Sequence, residues 1–79
     1  MQTIEAGIYR HSKTGNEYEV VAVALHSENL EPFVVYRALH DDPKSPSTSG
    51  FWIRPAAMWK EMVNVNGSIV PRFVFVRKS

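Results

Sequence analysis

Cysteine is absent from the chain, which removes disulfide cross-links, thiolate metal sites and thiol nucleophiles together. A secreted domain of this size usually leans on disulfides, so the absence favours a reducing compartment and a cytoplasmic protein. An excess of either charge is missing as well. Nine Lys and Arg against eight Asp and Glu leave a net +1, which by itself calls for neither nucleic acid nor a membrane as partner. Long apolar runs are also lacking. The longest, from Val20 to Leu25, falls far short of the ~20 residues of a membrane-spanning helix, so no membrane partner is expected. Residues 1–6 lack the charged start and apolar stretch of a signal peptide. Neither an HExxH zinc helix nor a Gly-x-Ser-x-Gly nucleophile elbow occurs.

What is present suits a small packed domain. The 79 residues are 44% apolar, with two Trp, three Tyr and four Phe, and aromatic rings bury large areas in a chain this short. The length predicts one domain over residues 1–79.

Punctuation along the chain divides it into short strands. Residues 7–11 read as a first strand, followed by a turn at Lys13-Thr14-Gly15-Asn16, where Gly15 and Asn16 tolerate positive φ. Residues 18–26 form the clearest strand. Its alternating sets are Tyr18, Val20, Ala22, Ala24 and Glu19, Val21, Val23, Leu25. Both are largely apolar, which predicts cover on both faces. Pro32 closes the next loop, and residues 33–39 read as a strand antiparallel to the one before. The 40–50 segment, rich in Asp, Pro, Ser and Gly, reads as a mobile loop. Residues 51–54 form a short strand ended by Pro55, which suits a helix start. Ala56 to Glu61 give one or two helical turns, too few to stand alone, so Met58, Trp59 or Met62 must dock them. Asn66-Gly67 is a strong hairpin signal between residues 62–66 and 69–77, with Pro71 at an edge or bulge. Five to six antiparallel strands with one short helix predict a mainly β fold, a small SH3-like barrel whose closure covers its edges.

Several segments together resemble one family: Gly7-Ile8-Tyr9-Arg10-His11, Tyr18-Glu19-Val20, Ala24-Leu25-His26-Ser27-Glu28, Glu31-Pro32, Val34-Val35-Tyr36, Trp52-Ile53-Arg54-Pro55 and Val70-Pro71-Arg72-Phe73. The chain is similar, from Gly7 to Phe75, to the bacterial domain-of-unknown-function family numbered 1653. The resemblance implies an SH3-type barrel and brings no activity, substrate or catalytic residue with it.

Four groups of residues are candidates for chemistry. His11, His26 and His40 each end a strand, and with Glu28 or Glu31 they have the ligand types of an imidazole–carboxylate metal site. No pair has zinc-motif spacing, so the plainer reading is three turn histidines, with no metal or cofactor. His26-Ser27-Glu28 with Glu31 invites comparison with a triad, yet adjacent loop residues rarely point at one another. Arg10, Arg37, Arg54 and Arg72 lie within strands. They either pair with Glu19, Glu28, Glu31 or Glu61, or recognise an anionic partner. Tyr9, Tyr18, Tyr36, Trp52 and Trp59 are core residues or a recognition surface, and Trp59 is assigned to the core.

The leading expectation is a non-enzymatic binding module. Tyr36, Arg37, Trp52 and Arg54 would form its groove, with Arg72 nearby and His26 and Glu28 as further candidates. The partner expected is a peptide or protein, with nucleic acid as an alternative. A small hydrolase or nucleotide-handling enzyme built on His26, Glu28 and Glu31, with Arg37 as anion clamp, is the rival. An oligomerisation or accessory role is the third reading.

Overall fold

A computed structural model describes residues 4–39 and 50–79; the 40–50 loop, His40 included, thus lies outside them except for Gly50. Seven strands and one helical turn follow in order. They are β1 (Gly7–His11), β2 (Glu17–Leu25), β3 (Pro32–Ala38), β4 (Phe51–Pro55), α1 (Ala56–Trp59), β5 (Met62–Val65), β6 (Ser68–Pro71) and β7 (Phe73–Arg77). Five of the strands form one antiparallel sheet in the order β4-β3-β2-β1-β7, and β5 and β6 form a separate hairpin. The fold is mainly β and barrel-like, with the seam between β4 and β7 left open by the backbone ladder. Among the described residues no helix is long and apolar enough to cross a membrane.

The core collects one residue or more from almost every element. Tyr9, Val20, Val34, Tyr36, Ala56, Trp59 and Phe73 form a buried cluster, and Ile4, Tyr18 and Trp52 pack against it. Trp59 and Ala56 dock α1, whereas Met58 and Met62 remain exposed. Four residues cannot make a stable helix in water, so the burial of Trp59 is what holds this turn in place. Pro55 serves both as the last residue of β4 and as the N-cap of α1.

Two sequence expectations are corrected. The expected strand over residues 69–77 is cut at Arg72, so β6 and β7 belong to different sheets. At the cut the backbone bonds sideways. The Arg72 N–H donates to the Glu61 carbonyl at 2.8 Å, the Arg72 carbonyl accepts from the Ser12 N–H at 2.8 Å, and the Ser12 hydroxyl donates to the Pro71 carbonyl. Pro71, with no N–H, suits such an interruption.

The second correction concerns β2. Its outer half is covered on neither face, since residues 21–25 are all exposed. The register explains why. Val20 lies opposite Tyr36 and Ala22 opposite Val35, so Val21 is an extra residue at a bulge. A bulge bends the strand and shifts the alternation by one. Val23, not Ala22, therefore shares a side with Val20 and lies opposite buried Val34. Beyond the bend, β2 parts from β1 and becomes the edge strand of a β2–β3 arm, while β3 stays paired with β4 as far as Phe33 opposite Pro55.

Candidate functional site

A cleft of about 290 Å³ opens at the seam, lined by His11, Thr14, Tyr18, Tyr36, Trp52, Arg54 and Phe73. Strand alternation places these side chains. Tyr18, Tyr36 and Trp52 follow the inward side of three neighbouring strands, because Tyr36 lies opposite both Val20 and Trp52. Arg54, two residues after Trp52, faces the same way. His11 lies opposite Phe73 across the β1–β7 pair.

Phe73 forms the aromatic floor. Its ring stacks on Trp59 with centroids 3.7 Å apart and planes 3° from parallel. The guanidinium carbon of Arg54 lies 5.6 Å from the Phe73 centroid, within the range of cation–π attraction. Tyr18 meets Tyr36 edge-on at 5.8 Å, and His11 meets Phe73 edge-on at 5.0 Å. Rings locked in this way lose little further freedom on binding, so the walls are preorganised.

The electrostatics of the cleft are positive. Burial, then the charges of Arg72, Arg54 and Lys13, hold the His11 pKa below its ordinary value. The imidazole is therefore neutral near pH 7. Its Nδ1 accepts the Lys13 N–H at 3.2 Å, which leaves Nε2–H as the ring's donor. Arg54 has no carboxylate in ion-pair contact among the described residues, whereas three other arginines are paired. Arg37 meets Glu19 at 2.7 Å, Arg72 meets Glu61 at 3.3 Å and Arg77 meets Glu17 at 3.1 Å.

The residues named from the sequence are thus divided. Tyr36, Trp52 and Arg54 come together in the cleft. Arg72 lies close enough to act on the charge of His11, but its guanidinium is turned to Glu61. Arg37, next to Tyr36 in the strand, falls on the opposite face. There its Nε donates to Glu19 at 2.8 Å, and this contact holds the Glu19 carboxyl below its ordinary pKa. His26 and Glu28 are on the exposed tip of the β2–β3 arm, away from the cleft. The His26 Nδ1 accepts the Glu28 N–H at 3.1 Å, which is a turn contact. Among the described residues no three His, Asp or Glu gather where a metal ion could be held. The enzyme reading required a pocket around His26, Glu28 and Glu31, and all three are exposed on this tip. Arg37 also lies six residues from Glu31 along an extended strand, about 20 Å.

Thr14 and Phe73 were not among the candidates, and His11 and Tyr18, named as a possible metal ligand and as a core or recognition aromatic, were not expected in the groove. For His11 and Phe73 the missing signal was the β1–β7 pairing, which joins the two ends of the chain and leaves no local pattern.

Fold and cleft together define a small antiparallel barrel-like β domain with an aromatic–arginine cleft at its seam. The chain belongs to a family described as a protein of unknown function (DUF1653), whose model matches residues 7–75. It is similar to the crystal structure of a DUF1653 protein from Bordetella bronchiseptica, with 29% identity and a TM-score of 0.82 over all of this chain and 95% of that one. No curated protein matches the chain.

Proposed function

We propose that this protein is a binding module that takes an anionic group of a peptide or protein partner into the seam cleft. The observation that carries the reading is Arg54: a half-buried guanidinium over an aromatic floor, with no carboxylate partner among the described residues. Burying a cation part-way without a counter-charge costs free energy, and an incoming carboxylate or phosphate oxygen would offset that cost. Arg54 supplies the charge. Trp52, Tyr36 and Tyr18 supply apolar area, and His11 supplies a neutral N–H donor. Arg37 is left out of the site because its own glutamate occupies it.

The test is an NMR titration of the protein with an acidic peptide, following the Trp52 indole N–H and the His11 ring. Saturating shifts at both are expected. Arg54→Ala should weaken binding by about 10- to 100-fold, the worth of one charge-assisted hydrogen bond. Shifts that never saturate, or an affinity indifferent to Arg54→Ala, would remove the cleft from consideration. A single-stranded oligonucleotide run in parallel separates the partner classes, because phosphate contacts make affinity fall steeply with salt.

A further inference from the structure

We propose that the outer half of β2, residues 21–25, is an interface through which two copies of this chain pair edge to edge. β1 accompanies β2 only as far as Gly7 opposite Val20. Beyond Val20, the edge of β2 that faces away from β3 has no strand against it among the described residues.

The hairpin end shows which backbone groups face that edge. The His26 N–H donates to the Glu31 carbonyl at 2.8 Å, and antiparallel pairs alternate between hydrogen-bonded and non-hydrogen-bonded. Ala24 and Phe33 therefore exchange hydrogen bonds, while Leu25–Pro32 and Val23–Val34 do not. Pro32, having no N–H, sits where none is required. The N–H and C=O groups of Val23 and Leu25 consequently point outward, to the open edge.

This edge lacks the usual safeguards. Natural sheets blunt an open edge with lysine, proline or cover from a loop. Residues 21–25 carry no charge and no proline. Val21 is 41% exposed, Val23 40% and Leu25 62%. The segment itself is apolar on both faces, and it is backed by β3 and, beyond it, β4 on one edge alone.

The occupant is a second copy because the segment is its own complement. Val21-Ala22-Val23-Ala24-Leu25 reads almost the same in either direction. Antiparallel pairing about a two-fold axis at Val23 puts Val23 opposite itself, Ala22 opposite Ala24 and Val21 opposite Leu25. Every cross-strand pair is then apolar, and the outward groups of Val23 are disposed to form the hydrogen-bonded pair on the axis. Such an isologous contact closes on itself and stops at two.

Sedimentation over roughly a hundredfold range of concentration tests this. The mass is expected to rise from monomer to dimer and no further. Val23→Lys places two ammonium groups on the axis, and Val23→Pro removes an N–H that β3 does not use. Both should stay monomeric with an unchanged far-UV spectrum. In the unaltered chain, amide exchange at Val23 and Leu25 should slow as concentration rises while that of Glu28 does not. This measurement decides the matter if either variant fails to fold. A monomer throughout, a dimer untouched by both substitutions, or exchange at Val23 indifferent to concentration would overturn the proposal.

Discussion

Phe73 links the two halves of the protein's chemistry, since its ring stacks on Trp59 in the core and meets Arg54 in the cleft. Substitutions at the two neighbours should therefore separate. Trp59→Ala removes a side chain only 3% exposed and should cost about 3–5 kcal/mol, read as a fall in the urea midpoint. That is much of the ~5–15 kcal/mol a small domain has. Arg54→Ala should move stability far less and binding far more. Arg37→Ala, on the outer face, should leave binding to the cleft unchanged and lower the urea midpoint far less than Trp59→Ala, as ion pairs open to solvent contribute little.

His11 predicts a pH dependence with a defined sign. Its pKa is lower in the folded chain than the ~6.5 of an unfolded one, so the unfolded state binds the proton more tightly. The associated stability is fully present above about pH 6.5 and is lost as pH falls through the folded pKa. His11→Gln should flatten that part of a melting-temperature profile. An anion beside Arg54 acts the other way on the same ring and raises the His11 pKa. Binding should therefore tighten as pH falls into the range where the ring takes up its proton, and His11→Gln should abolish this tightening.

At the scale of elements, the irregular positions set the shape. Gly7 has φ 148, and a Cβ there would meet the Arg77 carbonyl oxygen and the Phe75 ring, each at 2.8 Å. This close approach lets β7 reach β1, so Gly7→Ala should destabilise by about 1–3 kcal/mol, measured by chemical denaturation. Asn66 and Gly67 have φ 53 and 86, the paired positive values of a tight hairpin turn. A Cβ on Gly67 meets nothing within 4 Å, so only conformational preference opposes Gly67→Ala. A smaller cost is expected there, about 1 kcal/mol. The bulge at Val21 is the third device. It turns β2 from a strand held between β1 and β3 into an edge strand backed by β3 and β4.

At the scale of the whole molecule, the backbone ladder stops at β4 and β7, and side chains bridge the seam. The cleft follows from that incomplete closure, because a closed ladder would bring β4 and β7 to within about 5 Å of each other. Exposure should track this division. Amide exchange in dilute protein is expected to be slowest around Val20, Val34 and Tyr36, which are nearly or fully buried, and fastest at the arm tip, residues 27–30.

Much of the fold was legible because its signals are local. Gly15-Asn16, Pro32, Pro55 and Asn66-Gly67 mark chain reversals within a few residues, and β-branched and aromatic runs between them mark strands. Tyr36, Trp52 and Arg54 could be singled out for the same reason, as an unusual arginine and aromatic pattern in short strands. The sequence by itself therefore determined the strand composition, the turns, the balance of charge and the lack of thiol chemistry. Tertiary structure alone decided which arginine found a glutamate, which side of β2 each valine took, and that His11 would meet Phe73. Those outcomes depend on register and on pairing between distant parts of the chain. One extra residue at Val21 reverses every side chain after it, and no local pattern records that shift.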